Sequence, residues 1–324
     1  MDGTLALPLA ACQRRHVPRS PNRPRTALAA LALPFAAALA MSPASAAAAE
    51  VGACARYAEK AVRTGRTQEG LHELSGIAAS RRHPGVYWAH NDSNNHGTLF
   101  AIDESGKVLA RFPLRGLRPR DAEDVAVGPC APGSRRSCIY LADTGDNLLR
   151  RKEVWIGRIE EPDALDGRVL HVEADAFRYP DGARNTESVL VDPRSARLYV
   201  ITKSVDGLGE VYRLDDMRDG HVGKATLVAT LPTPATLARL TTAADQHPSG
   251  ERVLLRTYTG VWELARPGAR SLEEVFTAKP VPLTSATQMQ GEAITYTFDG
   301  RAYLLAGEGE GSPIYRVDCA DPAK

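Results

Sequence analysis

Five segments of this chain repeat one pattern, a short strand, a turn and a second short strand. They are ELSGIAAS with GVYWAHND, AEDVAVGP with CIYLADTGDN, TESVLVDP with RLYVITKS, TTAADQHPSG with RVLLRTYTG, and GEAITYTFDG with AYLLAGEGE. A third alternating apolar stretch follows each pair (TLFAID, EVWIGRIEEP, EVYRLDD, VWELARP, PIYRVD), and usually a fourth (KVLARFPL, HVEADAFRYP, ATLVATLP, LEEVFTA). Alternation of apolar and polar residues is the period of a half-buried strand. The separators ESGK, DGLGE, RDGH, PSGE and FDGR supply turn chemistry. Short antiparallel strands in groups of four, recurring about every 50 residues, predict an all-β fold, the β-propeller.

The fifth unit runs out after its third strand, at Cys319, while CARYAEKAVRTGR precedes the first unit without a unit of its own. If that N-terminal segment supplies the missing outer strand, five blades close into a ring, with six blades as the alternative. Closure removes the exposed strand edges that invite aggregation. The same pairing places Cys54 beside Cys319 and leaves Cys130 to pair with Cys138 across the first turn of the second blade.

The chain opens with Arg14, Arg15, Arg19, Arg23 and Arg25, then a 14-residue apolar run from Ala27 to Ala40, then Ala44-Ser45-Ala46. This is the layout of a secretory signal peptide over residues 1–46, and the run is too short for a membrane span of about 18 residues or more. The single propeller domain is then 47–324, and the protein is expected to be secreted, either extracellular or associated with the cell wall. Without residues 1–46 the chain keeps 35 basic and 38 acidic side chains (40 minus 5, and 39 minus 1), a formal charge of −3. That balance argues against binding a nucleic acid polymer or a polybasic role at a membrane. Four cysteines remain in an oxidising compartment, where disulfides persist.

Aligning the first strands puts Ser75, Glu123, Glu187, Thr242 and Glu292 at one position, at spacings of 48, 64, 55 and 50 residues. First strands line a propeller's channel, so five oxygen-bearing side chains, three of them carboxylates, converge there. Converging carboxylates do not all stay ionised without a compensating charge. Calcium suits such a set, since it takes six to eight oxygen ligands in loose geometry, whereas zinc prefers nitrogen or sulfur and magnesium a strict octahedron. Alternatively the glutamates accept backbone N–H bonds from neighbouring blades, with Lys203 or Arg256 balancing their charge.

The ends of the second strands are expected to rim the same face with His90, Asn91, Asp92, Asp143, Asp146, Asn147, Lys203, Arg256 and Glu308. His90 and Asp143 are the candidate general bases. Asn91, Asp92, Lys203, Arg256 and Glu308 are the candidate ligand contacts. HNDSNN and DTGDN are equally the composition of ordinary turns. No G-x-S-x-G, H-E-x-x-H or P-loop motif occurs. GEGEGS is followed by the strand PIYRVD, so it reads as a flexible turn. Trp88, Trp155 and Trp262 are expected to pack between blades.

The motifs ELSGI, AEDVAV, ESVL and GEAI, with their Ser-Glu-Glu-Thr-Glu run, resemble those of the calcium-activated nucleotidases (apyrases). The resemblance implies a secreted five-bladed propeller whose channel calcium is held by residues at these positions, with Thr242 standing where that family has serine. The phrases HNDS, GDN and GEAI also resemble those of exported bacterial propellers of unknown function. More distantly the chain is similar to six-bladed calcium-dependent lactonases and phosphotriesterases. Two functions follow as expectations: a calcium-binding module that takes a small-molecule, glycan or protein ligand at the channel mouth, or a calcium-dependent hydrolase of phosphate esters or lactones.

Overall fold

Strands form where the alternating apolar residues predict them, and they dominate the structure. The computed structural model describes residues 52–68, 70–92, 97–217, 220–232, 240–288 and 290–320. The predicted signal peptide lies outside the described residues, as do Ser93, Asn94 and Asn95 of HNDSNN. After β1 (Val62–Arg66), an antiparallel meander contains β2 (Leu74–Ala79), β3 (Tyr87–Asn91), β4 (Thr98–Ile102) and β5 (Val108–Arg115). A second contains β6 (Asp124–Pro129), β7 (Ser137–Asp143), β8 (Val154–Glu160) and β10 (Glu173–Arg178). The two-residue β9 (Leu170–His171) runs parallel to the end of β5.

The third meander is β11 (Thr186–Val191), β12 (Leu198–Thr202), β13 (Glu210–Asp215) and β14 (Gly223–Thr230). The fourth is β15 (Thr241–Gln246), β16 (Arg252–Thr257), β17 (Val261–Ala265) and β18 (Val281–Pro282). The last is β19 (Gly291–Tyr296), β20 (Ala302–Gly307) and β21 (Pro313–Asp318), and β1 completes it by pairing antiparallel with β21. The outer strands β10 and β14 meet in parallel through Phe177 and Arg178, which joins the second and third meanders into one eight-stranded sheet.

The disulfides are Cys54–Cys319, spanning 265 residues beside the β1–β21 pair, and Cys130–Cys138, which bridges the turn between β6 and β7. No helix among the described residues is long and apolar enough to cross a membrane.

The stretch LEEVFTA was expected to be an outer strand and is instead a helical turn, α1 (Leu272–Val275). Ser271 caps it by accepting from the Glu274 amide at 3.4 Å, and Glu273 and Glu274 occupy the first turn. A serine followed three residues later by glutamate is a capping box, and it outweighs the strand pattern here. Leu272 and Val275 are buried, and β18 takes the outer position.

The first strands pack side by side in the order β2, β6, β11, β15, β19, and β19 returns to β2. Five apolar clusters fill the spaces between consecutive meanders, anchored by Trp88 and Phe112, Phe177 and Tyr212, Tyr199 and Trp262, Tyr296 and Tyr303, and Phe100 and Leu304. Burying a large apolar side chain contributes about 1.5–3 kcal/mol, so these clusters are the main cohesive force. Trp88 and Trp262 pack there as expected, whereas Trp155 is only half-buried.

Polar residues of the first strands tie neighbouring meanders together. Asp124 accepts from the amides of Val125 and Val189, Asp245 from Tyr296, and Gln246 from Val191. The backbone bonding between neighbouring first strands that was considered for the glutamates is therefore carried by this separate tier.

Candidate metal and ligand site

Local backbone irregularity positions the aligned residues. In four of the five first-to-second strand pairs the register slips by one residue, and the extra residue is Ser75, Glu187, Thr242 or Glu292. The doubling recurs just ahead of β6, where the Glu123 amide bonds to the Ala142 carbonyl although Ala142 already pairs with Asp124. A β-bulge turns its extra side chain out of the regular alternation and occurs often beside functional sites.

Four of the five bulge residues line one cavity of about 250 Å³, Ser75, Glu123, Glu187 and Glu292. Glu73, Asp92, Asn147, Lys203, Tyr258, Gln290 and Glu308 share the wall. Thr242 does not reach it: its hydroxyl is buried and donates to the Gly291 carbonyl at 2.6 Å. Ser75 makes the equivalent bond to the Glu123 carbonyl, also 2.6 Å, yet remains on the wall.

The charge balance is strongly acidic. Against six wall carboxylates (Glu73, Asp92, Glu123, Glu187, Glu292 and Glu308) stands the ammonium of Lys203. It donates to both oxygens of Glu187 at 2.9 Å and to the Tyr258 hydroxyl at 2.7 Å. Asn185 adds a bond to Glu187 at 2.9 Å. Burial holds Glu187 above the usual carboxylate range, with Lys203 and Asn185 opposing it. Burial, then Glu187, Asp92 and Asp121, hold Glu123 well above the usual carboxylate range, with Lys203 opposing them. Burial first and neighbouring acids second raise Asp92 to about 7; burial and Glu187 raise Glu292 to about 8.

Asp121, two residues ahead of Glu123, escaped the sequence reading. Asp92, Asp121 and Glu123 each offer an oxygen, and these atoms lie within 4.8 Å of one another. The run DAED ahead of β6 was the available signal. Gly145 of DTGDN closes over this group: a Cβ there would lie 2.0 Å from Glu123 Oε1 and 2.5 Å from Asp121 Oδ2. One oxygen of Asp92 is buried with no hydrogen-bond partner. All-oxygen donors, an orphaned carboxylate oxygen and a glycine that leaves room fit a hard divalent cation. Among the described residues neither histidine nor cysteine is on the wall.

The two candidate bases are placed elsewhere. His90 is fully buried, its Nδ1 against the Asn91 carbonyl at 2.9 Å and its Nε2 unpartnered against Gly76, where a Cβ would come within 2.4 Å. Burial lowers it to about 4, so it is neutral and sealed from the cavity. Asp143 accepts from the amides of Arg120 and Asp121 and pairs with both terminal nitrogens of Arg151 at 3.0 Å. Its carboxylate holds the Asp121 loop in place, which leaves no free role as a base at the cavity.

The expected ligand contacts divide. Asp92, Lys203 and Glu308 are on the wall. Asn91 is spent on backbone, accepting from the Glu73 amide and donating to the Gly70 carbonyl. Arg256 is fully buried, donating to Ser285 and Gln288 at 2.9 Å, with its guanidinium so close to Gly291 that a Cβ would lie 2.1 Å away. It sits beneath Glu292 rather than on the cavity.

No known protein family and no curated protein matches the chain. Among solved structures it is similar to a functionally unknown protein from Desulfotomaculum acetoxidans, with 15% identity, 74% of this chain and 67% of that chain covered, and a TM-score of 0.40.

Proposed function

We propose that the chain is an exported five-bladed β-propeller that binds calcium in the acidic cavity at one end of its channel and acts as a binding module for a ligand at the channel mouth. The observation that carries this reading is the approach of Asp92, Asp121 and Glu123, with oxygens within 4.8 Å of one another, beside a cavity wall where, among the described residues, acids far outnumber the ammonium of Lys203. Five four-strand groups with their first strands in a closed order support the propeller count. Two disulfides support an oxidising compartment. Asp92, Asp121 and Glu123 would hold the cation, with Ser75, Glu187 and Glu292 nearby. Bound there, calcium supplies positive charge that relieves the carboxylate repulsion and an electrophile for an oxygen-bearing ligand. The burial of His90 and the full engagement of Asp143 favour binding over hydrolysis.

The test is a thermal melt of residues 47–324 with calcium, magnesium or chelator, with phosphate release from nucleotides followed on the same samples. A calcium-specific rise in melting temperature without turnover is expected, because a ligand that binds only the folded state stabilises it by mass action. Turnover in calcium would replace the binding module with the hydrolase, and no rise would remove the cation.

A further inference from the structure

Beside the acidic cavity, with Asn147 on both walls, lies a cleft of about 860 Å³ in which five cations, Arg120, Arg150, Arg151, Lys152 and Arg178, outnumber the carboxylates of Asp121, Asp146 and Glu153. Arg120, Arg150, Lys152 and Arg178 line it together with Trp155 and Leu148. Arg178 is paired with Glu153, but no carboxylate among the described residues pairs with Arg120, Arg150 or Lys152, all of which are exposed. In a chain whose described part is slightly acidic, three unpaired cations around one cleft are a local concentration, not an average.

The loop that presents Arg150 and Lys152 is held by its own hydrogen bonds. Asp146 accepts from the amides of Arg150 at 2.9 Å and Arg151 at 2.7 Å, its own amide is held by Asn185 at 2.7 Å, and its carbonyl accepts from Leu149 at 2.9 Å. Leu149 sits at φ 52°, a conformation leucine rarely adopts, and Leu148 and Leu149 are 69% and 57% exposed. Residues kept in unfavourable backbone conformations cluster at ligand sites, because the surroundings must hold them there. Arg151, clamped by Asp143 beneath the cleft, keeps a buried Nε without a partner. A second hollow of about 580 Å³ borders the same Arg150-Arg151-Lys152 ridge on the side of Tyr179.

We propose that this cleft binds a phosphate group carried on a ring-bearing body, a phosphorylated saccharide. Two guanidinium forks and an ammonium match the oxygens of a phosphate, and guanidinium groups bind it bidentately. The half-buried indole of Trp155 and the exposed leucines offer an apolar surface for the ring. Asp121 borders both the cleft and the cation group, but the anion contacts are Arg120, Arg150 and Lys152, none of them a cation ligand, so binding measured in chelator tests the cleft apart from the proposal above.

Glucose 6-phosphate is the probe, glucose the control, and tryptophan fluorescence and calorimetric heat are the readouts, in chelator and again in calcium. Saturable binding of the phosphorylated sugar and none of glucose is expected, weakening ~10-fold or more in R120E/R150E and as salt rises. Both residues are exposed, so the variant should melt like the parent; K152E, a single exposed change, provides a second variant with a smaller loss in the same direction. Absence of saturable binding, equal binding of glucose, or unchanged affinity in both variants would overturn the proposal. Binding that appears only with calcium would also overturn it, by assigning the anion to the cation cavity.

Discussion

The ammonium of Lys203 lies 2.9 Å from both carboxylate oxygens of Glu187, and among the described residues the two side chains are the cavity wall's one internal ion pair. Removing one partner of a largely buried pair leaves the other unbalanced, at a cost of about 3 kcal/mol. Lys203→Met should therefore lower stability by about that much in chelator, with less loss in calcium, and should tighten calcium binding by removing a like charge. Adding Glu187→Gln should recover most of the loss. Urea unfolding of the single and double variants, with and without calcium, measures all three effects. A single variant as stable as the parent in chelator would show that the pair does not hold the wall.

The raised carboxylates set a pH dependence. Asp92 and Glu292 titrate near 7 and 8 in the folded protein, well above their unfolded values, so between about pH 4.5 and 8 the folded state holds protons that the unfolded state has released. Stability in chelator should then fall as pH rises through that window, the reverse of a salt-bridged acid. Calcium should flatten the fall. Melting temperatures from pH 4.5 to 8.5 test this, and a chelated protein that grows more stable toward pH 8 would contradict it.

Gly145 is a position where one methyl group separates folding from binding. Its Cβ would meet the free ends of Glu123 and Asp121, which can swing aside, and not backbone. Gly145→Ala should change stability in chelator by less than about 1 kcal/mol while weakening calcium affinity about tenfold or more, near 1.4 kcal/mol. Calorimetric titration with calcium reads it directly.

The Cys54–Cys319 bond should dominate covalent stabilisation. It closes 265 residues and Cys130–Cys138 only 8. In the chain-entropy view the long loop is worth roughly 5 kcal/mol and the short one about half that. C54A/C319A should therefore lower the guanidinium midpoint more than C130A/C138A, and should speed hydrogen exchange in β1 and β21 in particular.

The strand repeat was legible because each half-buried strand must alternate, and the shortage of one strand at Cys319 pointed to the N-terminal segment that supplies β1. The height shared by Ser75, Glu123, Glu187 and Glu292 was legible for the same reason. What brings them to the wall was not. A register slip of one residue depends on how two strands pair and leaves no compositional mark, so nothing separated Thr242, turned to Gly291, from Glu292, turned to the cavity. Asp121 went unnoticed because it lies two residues ahead of the aligned position that Glu123 occupies. His90 and Arg256 looked like rim residues by position, but the glycines at 76 and 291 leave room for their side chains to fold inward. In α1 the signal was present in Ser271 and Glu274, and the apolar alternation around it obscured the cap.

The pairing of β1 with β21 also bears on how the protein is made. A chain that emerges from its N-terminal side delivers β1 ahead of the other twenty described strands and delivers its partner last among them. Through nearly the whole of synthesis that strand waits like a strap without its buckle, and the final meander cannot be finished one unit at a time as the others can. Late, long-range pairing of this kind is slow and leaves an edge open in the meantime. The last step of maturation is then a fastening, in which the earliest strand docks on the latest and the Cys54–Cys319 bond latches them.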